Sequence, residues 1–241
     1  MVRFALAIGL AVLASNASAQ EISITLGEDG SLATRSIQLI VLITLLSLVP
    51  GLAIMITCFP FIVTVLSILR QAIGLQQAPP NMLIVSLALF LTYFVMEPVF
   101  TEAWTKGGLP LIDGILPIEE AFREALAPFR EFMAGRVAPE TFERLAALRN
   151  DSALSTTPDA DAPLSVLIPS FLLSEVERAF QIGFLIFLPF LIIDLVVAAI
   201  LMSMGMMMVP PAIVSLPFKL AFFVVADGWS LISGALVQSY F

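Results

Sequence analysis

Two charged residues stand where an apolar environment makes charge expensive. Asp194 lies inside FLIIDLVVA and Lys219 inside SLPFKLAFF, and Lys219 is the only basic residue after Arg178. A charge at such depth in hydrocarbon costs about 2.5–3.5 kcal/mol even on the mildest insertion scale. It must be neutralised, solvated by a pore or paired. A Lys–Asp pair, between the two helices or between neighbouring copies, is the economical solution. Three roles compete for such a pair: holding helices together, acting as a gate or switch, and relaying protons. A relay is the least attractive, because it needs a chain of titratable groups and only Glu97, Glu175, Glu177 and Asp227 lie nearby in sequence. Glu97 and Glu175 each read as a boundary residue facing headgroups or as a buried acid in need of a partner.

A second cluster carries no charge. SMGMMMVPP spans residues 203 to 211, and five of the nine methionines after the initiator fall within Met202–Met208. Gly205 interrupts the preceding helix and Pro210-Pro211 prevents it from continuing, since proline lacks the donor and clashes with the turn before it. Met206, Met207 and Met208 are therefore expected in a short non-helical linker. Methionine is unbranched and re-packs around irregular partners at low cost. In an isolated bundle it fills gaps. In several copies around an axis it would form a ring of thioethers that seals against ions yet parts for a polypeptide, as hydrophobic constrictions do in channels.

Other chemistry is excluded by composition. Histidine is absent and Cys58 is the single cysteine, so no His/Cys metal cluster, histidine-dependent triad or intrachain disulfide is available. No cofactor is implied. Cys58, in ITCFPFIV, reads as a buried inert thiol. The formal charge of −8 offers no basic patch for nucleic acid.

The elements that position these residues are hydrophobic. Of 241 residues 59% are apolar and 12% charged, with a mean hydropathy of +1.03, which places the chain in the membrane class. MVRFALAIGLAVLASNASAQ has the basic start, apolar run and small-residue site of a cleavable signal peptide, residues 1–19. An uncleaved anchor is the alternative. Residues 20–105 form a first hydrophobic helical region. Within it, 34 residues between Arg35 and Arg70 carry no charge; one straight helix of that length would measure about 51 Å, longer than a bilayer core. Pro50-Gly51 and Pro60 predict a bent helix or tight hairpin there. Arg70, Pro79 and Pro80 mark a polar connector at 70–81. A second helix is expected at about 82–96, ending near Glu97-Pro98.

Residues 106–181 read as a polar helical insert on the same side as the mature N-terminus. Residues 101–180 hold 13 acidic and 7 basic side chains. In IEEAFREALAPFREFMAG, Phe122, Leu126, Phe129 and Met133 share one helical face, with a bend at Pro128. A shorter helix opens at Pro139, with Glu140 in its first turn. NDSALSTTPDADAP at 150–163 reads as a mobile loop. Residues 182–241 form a second hydrophobic region, a helical hairpin with blocks at about 182–204 and 212–237 joined by the methionine-rich loop. The fold class is thus an all-α membrane protein of helical hairpins and kinked hydrophobic helices, with a small amphipathic extracytoplasmic insert.

IGFLIFLPFLIIDLVVAAILMSMGMMMVPPAIVSLPFKLAFFVVADGWSLI, residues 182 to 232, closely resembles the FliP family of flagellar type III export-gate membrane proteins, known in virulence systems as SctR. LRQAIGLQQAPPN is similar to that family's Arg-x-Ala-Leu-Gly…Pro-Pro-Asn connector, with Ile73 in place of leucine. PSFLLSEVERAF is similar to its second signature, with Ser170 and Val176 departing from the commoner Ala and Leu. The resemblance covers nearly all of the mature chain and is weakest over 106–165. It implies a homopentamer joined by FliQ and FliR type subunits, with FlhB and FlhA type export components and a basal-body ring around it. The implied cargo is secreted flagellar proteins, and the implied place is the bacterial inner membrane, extending to the periplasmic side. Met206, Met207 and Met208 then match the loop that plugs the closed pore, and nothing is catalysed. The leader and long insert look more like the flagellar than the virulence branch. The alternative from another class is a proton-coupled or small-solute transporter, which internal repeats and a second intramembrane acid would favour.

Overall fold

The computed structural model describes residues 32–75, 79–149 and 157–241. The expected leader, residues 1–19, lies outside the described residues, as does the 150–156 part of the expected loop. The described residues are almost entirely helical, with no strand among them. Among the described residues three helical stretches are long and apolar enough to cross a membrane: Ser36–Met55, Asn81–Ile112 and Leu164–Ser203. A fourth arises if Pro211–Val225 and Gly228–Gln238, bent by 60°, count as one span.

The chain divides into two units, Met1–Leu48 and Val49–Phe241. In the first, the described residues are the start of helix α1, Leu32–Met55. The helix runs unbroken through Pro50 and Gly51, where the sequence predicted a bend. Proline inside an apolar helix is tolerated when local adjustments re-satisfy the freed carbonyl. The break comes instead at Thr57 and Cys58. There the Thr57 hydroxyl donates to the Ile54 carbonyl at 2.8 Å and accepts from the Phe59 N–H at 3.3 Å. Pro60, in the first turn of the next helix, needs no partner for the donor it lacks.

That next helix, α2, Phe59–Ile73, is too short to span a bilayer, and it forms the centre of the main core. Phe61, Ile62, Val65, Leu66, Leu69 and Ala72 are all fully buried. These residues form one stripe of the helix, while Thr64, Ser67, Arg70 and Gln71 keep some exposure, so one face of α2 packs into the bundle. Among lipid-facing helices the gain is close packing more than escape from water. Around α2 stand helix α3, Asn81–Ala103, and helix α7, Leu164–Ser203.

Helix α3 does not stop near Glu97-Pro98. It continues to Ala103 and through a π-helical turn, Trp104–Gly108, into the short α4, Leu109–Ile112. Helix α5, Ile118–Arg136, also runs on through Pro128. Its inward residues are Ala121, Pro128 and Met133, and Phe122 is 65% exposed, not part of the buried face. The helix is turned because Ala121 and Ala125 lie against Gly107, where any larger residue would collide with them. Helix α6, Pro139–Ala147, starts at Pro139 with Glu140 in its first turn. Met133, Val137, Phe142, Leu167 and Phe171 build a second core that joins α5 and α6 to the start of α7.

Helix α7 has 40 residues, about 60 Å at 1.5 Å per residue. It begins 18 residues before the hydrophobic block that the sequence set at about 182. Beyond the methionine-rich turn come α8, Pro211–Val225, and α9, Gly228–Gln238. Asp227 sits at the bend between them in the left-handed region, φ 47°, which aspartate tolerates better than most residues. Gly228 must be glycine, since a Cβ there would lie 2.1 Å from the Phe223 ring.

Candidate functional site

Helix α7 leaves the bundle at Ser203, and the chain turns back into α8 at Pro211. Gly205 takes φ +76° and so turns the chain where an L side chain would be strained. The Gly205 N–H donates to the Met202 carbonyl at 3.1 Å and the Met206 N–H to Leu201 at 2.9 Å, ending α7 with left-handed closure. Pro210 is extended, ψ 116°, and Pro211 opens α8. Met206 is 42% exposed, Met207 83% and Met208 98%. Three large apolar side chains in succession therefore project from the tip of the hairpin.

Asp194 and Lys219 come together within one chain. Lys219 Nζ lies 2.6 Å from Asp194 Oδ2, joining α7 to α8. The network extends beyond a pair. The Ser215 hydroxyl, one turn before Lys219, donates to Asp194 Oδ1 at 2.6 Å. Lys219 Nζ also donates to the Ala72 carbonyl at 3.1 Å. That carbonyl is in the last turn of α2, where a cation meets the negative end of the helix dipole. Three helices are tied at one level. Lys219 is nearly enclosed, at 7% side-chain exposure, and Asp194 keeps 32%.

Arg70 closes the connector after α2, where Gly74 is left-handed at φ +87°. The Arg70 guanidinium donates to the Asn81 side-chain oxygen and, at 3.4 Å, to the Pro79 carbonyl. Pro80, extended at ψ 149°, precedes α3. Glu97 is exposed on α3.

Glu175 is different. Its side chain is wholly buried in α7. Arg136, the last residue of α5, places Nε 3.2 Å from Oε1, and Arg178 places Nη1 at 3.3 Å. The Tyr240 hydroxyl donates to Oε2. Arg136 also lies 4.0 Å over the Tyr240 ring and donates to the Ser239 carbonyl at 2.9 Å, so one guanidinium combines an ion pair, a cation–π contact and a backbone bond. Burial, with the Glu175 charge next, pushes the Tyr240 hydroxyl well above the usual phenol range and keeps it a donor.

Sequence reasoning missed Ser215, Arg136, Arg178 and Tyr240. Two of them carry a signal: Ser215 is four residues from Lys219, and Arg178 three from Glu175, both same-face helical spacings. Arg136 and Tyr240 approach Glu175 from 39 and 65 residues away, and nothing local points to them.

Helices of membrane-spanning length agree with the comparisons. The model of the FliP family matches residues 42–236. The chain belongs to the FliP family. It is 49% identical over 235 residues to the flagellar biosynthetic protein FliP of Caulobacter vibrioides, covering 97% of this chain and 88% of that one. Identity to the protein of that name from Agrobacterium fabrum is 43% over 244 residues, covering both chains completely. For Bacillus subtilis it is 44% over 221 residues, covering 91% and 98%. Membership makes the chain a non-enzymatic membrane component of the flagellar type III export gate, located in the inner membrane and associated with other gate subunits. The small-solute transporter reading is set aside by it.

Proposed function

We propose that this subunit lines and seals a protein-conducting pore, through which unfolded flagellar proteins leave the cytoplasm. Five copies, joined by FliQ and FliR type subunits, surround the passage. FlhB and FlhA type components and the basal-body ring adjoin it. The leader, residues 1–19, is removed, and the insert at 106–181 stands on the periplasmic side. Met206, Met207 and Met208 of each copy meet at the axis as a deformable gasket. The Asp194–Lys219 tie keeps the hairpin carrying them in register.

The observation that carries this reading is the exposure of Met207 and Met208, 83% and 98%, at the tip of a hairpin whose base is anchored by charge. Exposed apolar side chains clustered at one point mark a place that another surface covers. Thioethers suit a seal that must re-form after each substrate. Replacing Met206, Met207 and Met208 together by alanine thins the gasket. The purified gate complex carrying that variant assembles and leaks ions in a planar bilayer, whereas the wild-type complex does not. Wild-type conductance in an intact variant complex contradicts the gasket.

A further inference from the structure

Below the methionine turn, α7 and α8 part and leave an open groove of about 590 Å³. Val196, Ile200, Met204 and Met206 line it from the α7 side, and Val214 and Phe218 from α8. All its lining side chains are apolar. Ile192 and Ile193 carry it past the level where Lys219 and Ser215 hold Asp194, so its walls are tied to each other alongside its lower part. Its upper end is the gasket itself, since Met206 already contributes to the wall.

We infer that this groove is the retracted seat of the gasket: on opening, Met207 and Met208 fold back into it beside Met204 and Met206. The inference rests on the gasket reading and assigns its regulation. Three features of the turn suit the movement. Gly205 is left-handed and has nothing within 4 Å of where a Cβ would stand, so the hinge is unobstructed. The far side of the turn is held by a long bond, Val209 N–H to the Met206 carbonyl at 3.4 Å. Met207 and Met208 have almost no contacts to give up within the subunit, at 83% and 98% exposure. The closed state gathers thioethers across subunits and the open state gathers them within each one. A flexible apolar side chain thus exchanges one covered position for another, which keeps the two states close in free energy and lets a passing substrate bias them.

The test is an engineered disulfide, Ile200→Cys with Met207→Cys, in the assembled gate complex. Cys58 is the only native thiol and is fully buried, so it does not compete. Mild oxidation during active export should form an intrachain disulfide. The oxidised complex, reconstituted without substrate, should conduct ions, and reduction should restore the seal. Failure to form the bond, a bond between two chains in its place, or a disulfide without conductance each overturns the seat. A second variant, Val214→Phe, fills the groove: it should stay sealed and lower secretion several-fold, and unchanged secretion overturns the inference as well. The triple-alanine leak separates the two ideas, because a leaking triple variant with a non-conducting disulfide removes the seat and leaves the gasket.

Discussion

The two charge networks of this chain make opposite use of burial. Around Asp194, a carboxylate with 32% exposure is met by one cation and one hydroxyl, all on two adjacent helices apart from the reach of Lys219 to Ala72. Around Glu175, a carboxylate with no exposure is met by two guanidiniums and a phenol drawn from α5, α7 and the segment after α9. The first network ties α7 to α8 and, through Lys219, to the last turn of α2. The second joins α5 and α7 to the segment after α9 and packs against aromatic rings: Phe61 edge-on to Tyr240 at 5.6 Å and Phe132 stacked on it at 6.0 Å. The Asp194 carboxylate stays partly exposed, and the Glu175 carboxylate is enclosed on every side.

The largest effect should come from the enclosed network. Glu175→Gln leaves Arg136 and Arg178 without their counter-charge, and removing one partner of a buried pair costs about 3–5 kcal/mol. The yield of folded subunit and its thermal midpoint should both fall, and an unchanged midpoint would erase the distinction between the two networks. Asp194→Asn should cost less, about 1–3 kcal/mol, because it leaves one cation unpaired where Glu175→Gln leaves two, and Lys219 keeps the Ala72 carbonyl. Complex yield should drop before any leak appears, and exchanging the two residues, Asp194→Lys with Lys219→Asp, should recover part of it. Normal yield and secretion in both Asp194→Asn and Lys219→Met would remove the pair from the assembly.

The smallest effect sharpens the comparison from a third position. Burial, the largest cause, pushes the Cys58 thiol up to about 12, and the Glu175 charge adds to it. A raised thiol pKa means that the folded protein holds the proton more tightly than the unfolded chain. The stabilisation is complete below the ordinary thiol range, near 8.5, and is lost as pH rises towards about 12. Iodoacetamide at pH 8 should therefore leave Cys58 unmodified in the folded complex and label it fully in denaturant. Labelling without denaturant would mean that the core around α2 is open to solvent.

How far the sequence could be read depended on the range of the interaction. Helix α6 opens where Pro139 and Glu140 signal it, because capping and dipole effects act within one turn. In the first hydrophobic block Pro50-Gly51 and Pro60 both predict a bend; the helix runs on through Pro50-Gly51 and breaks at Thr57-Cys58, just before Pro60, because a proline's missing donor matters only if neighbours fail to compensate. Phe122 fits an inward face by spacing and points outward, because the nearness of Gly107 to Ala121 and Ala125 sets the rotation of α5. Spacing gives a helix its stripe; the neighbour decides which edge of the stripe is used.

Asp194 and Lys219 announced themselves because charge in an apolar run is costly wherever the run is placed, and Met206–Met208 because glycine and proline bracket them. Composition, periodicity and chain-breaking residues thus determined the helical membrane class and the two features of the terminal hairpin. Only the tertiary structure decided that α2 is core, that Tyr240 closes over Glu175, and that an apolar groove lies open beneath the methionines. Each of these depends on surfaces brought together from distant parts of the chain, and a local pattern carries no record of what will be packed against it.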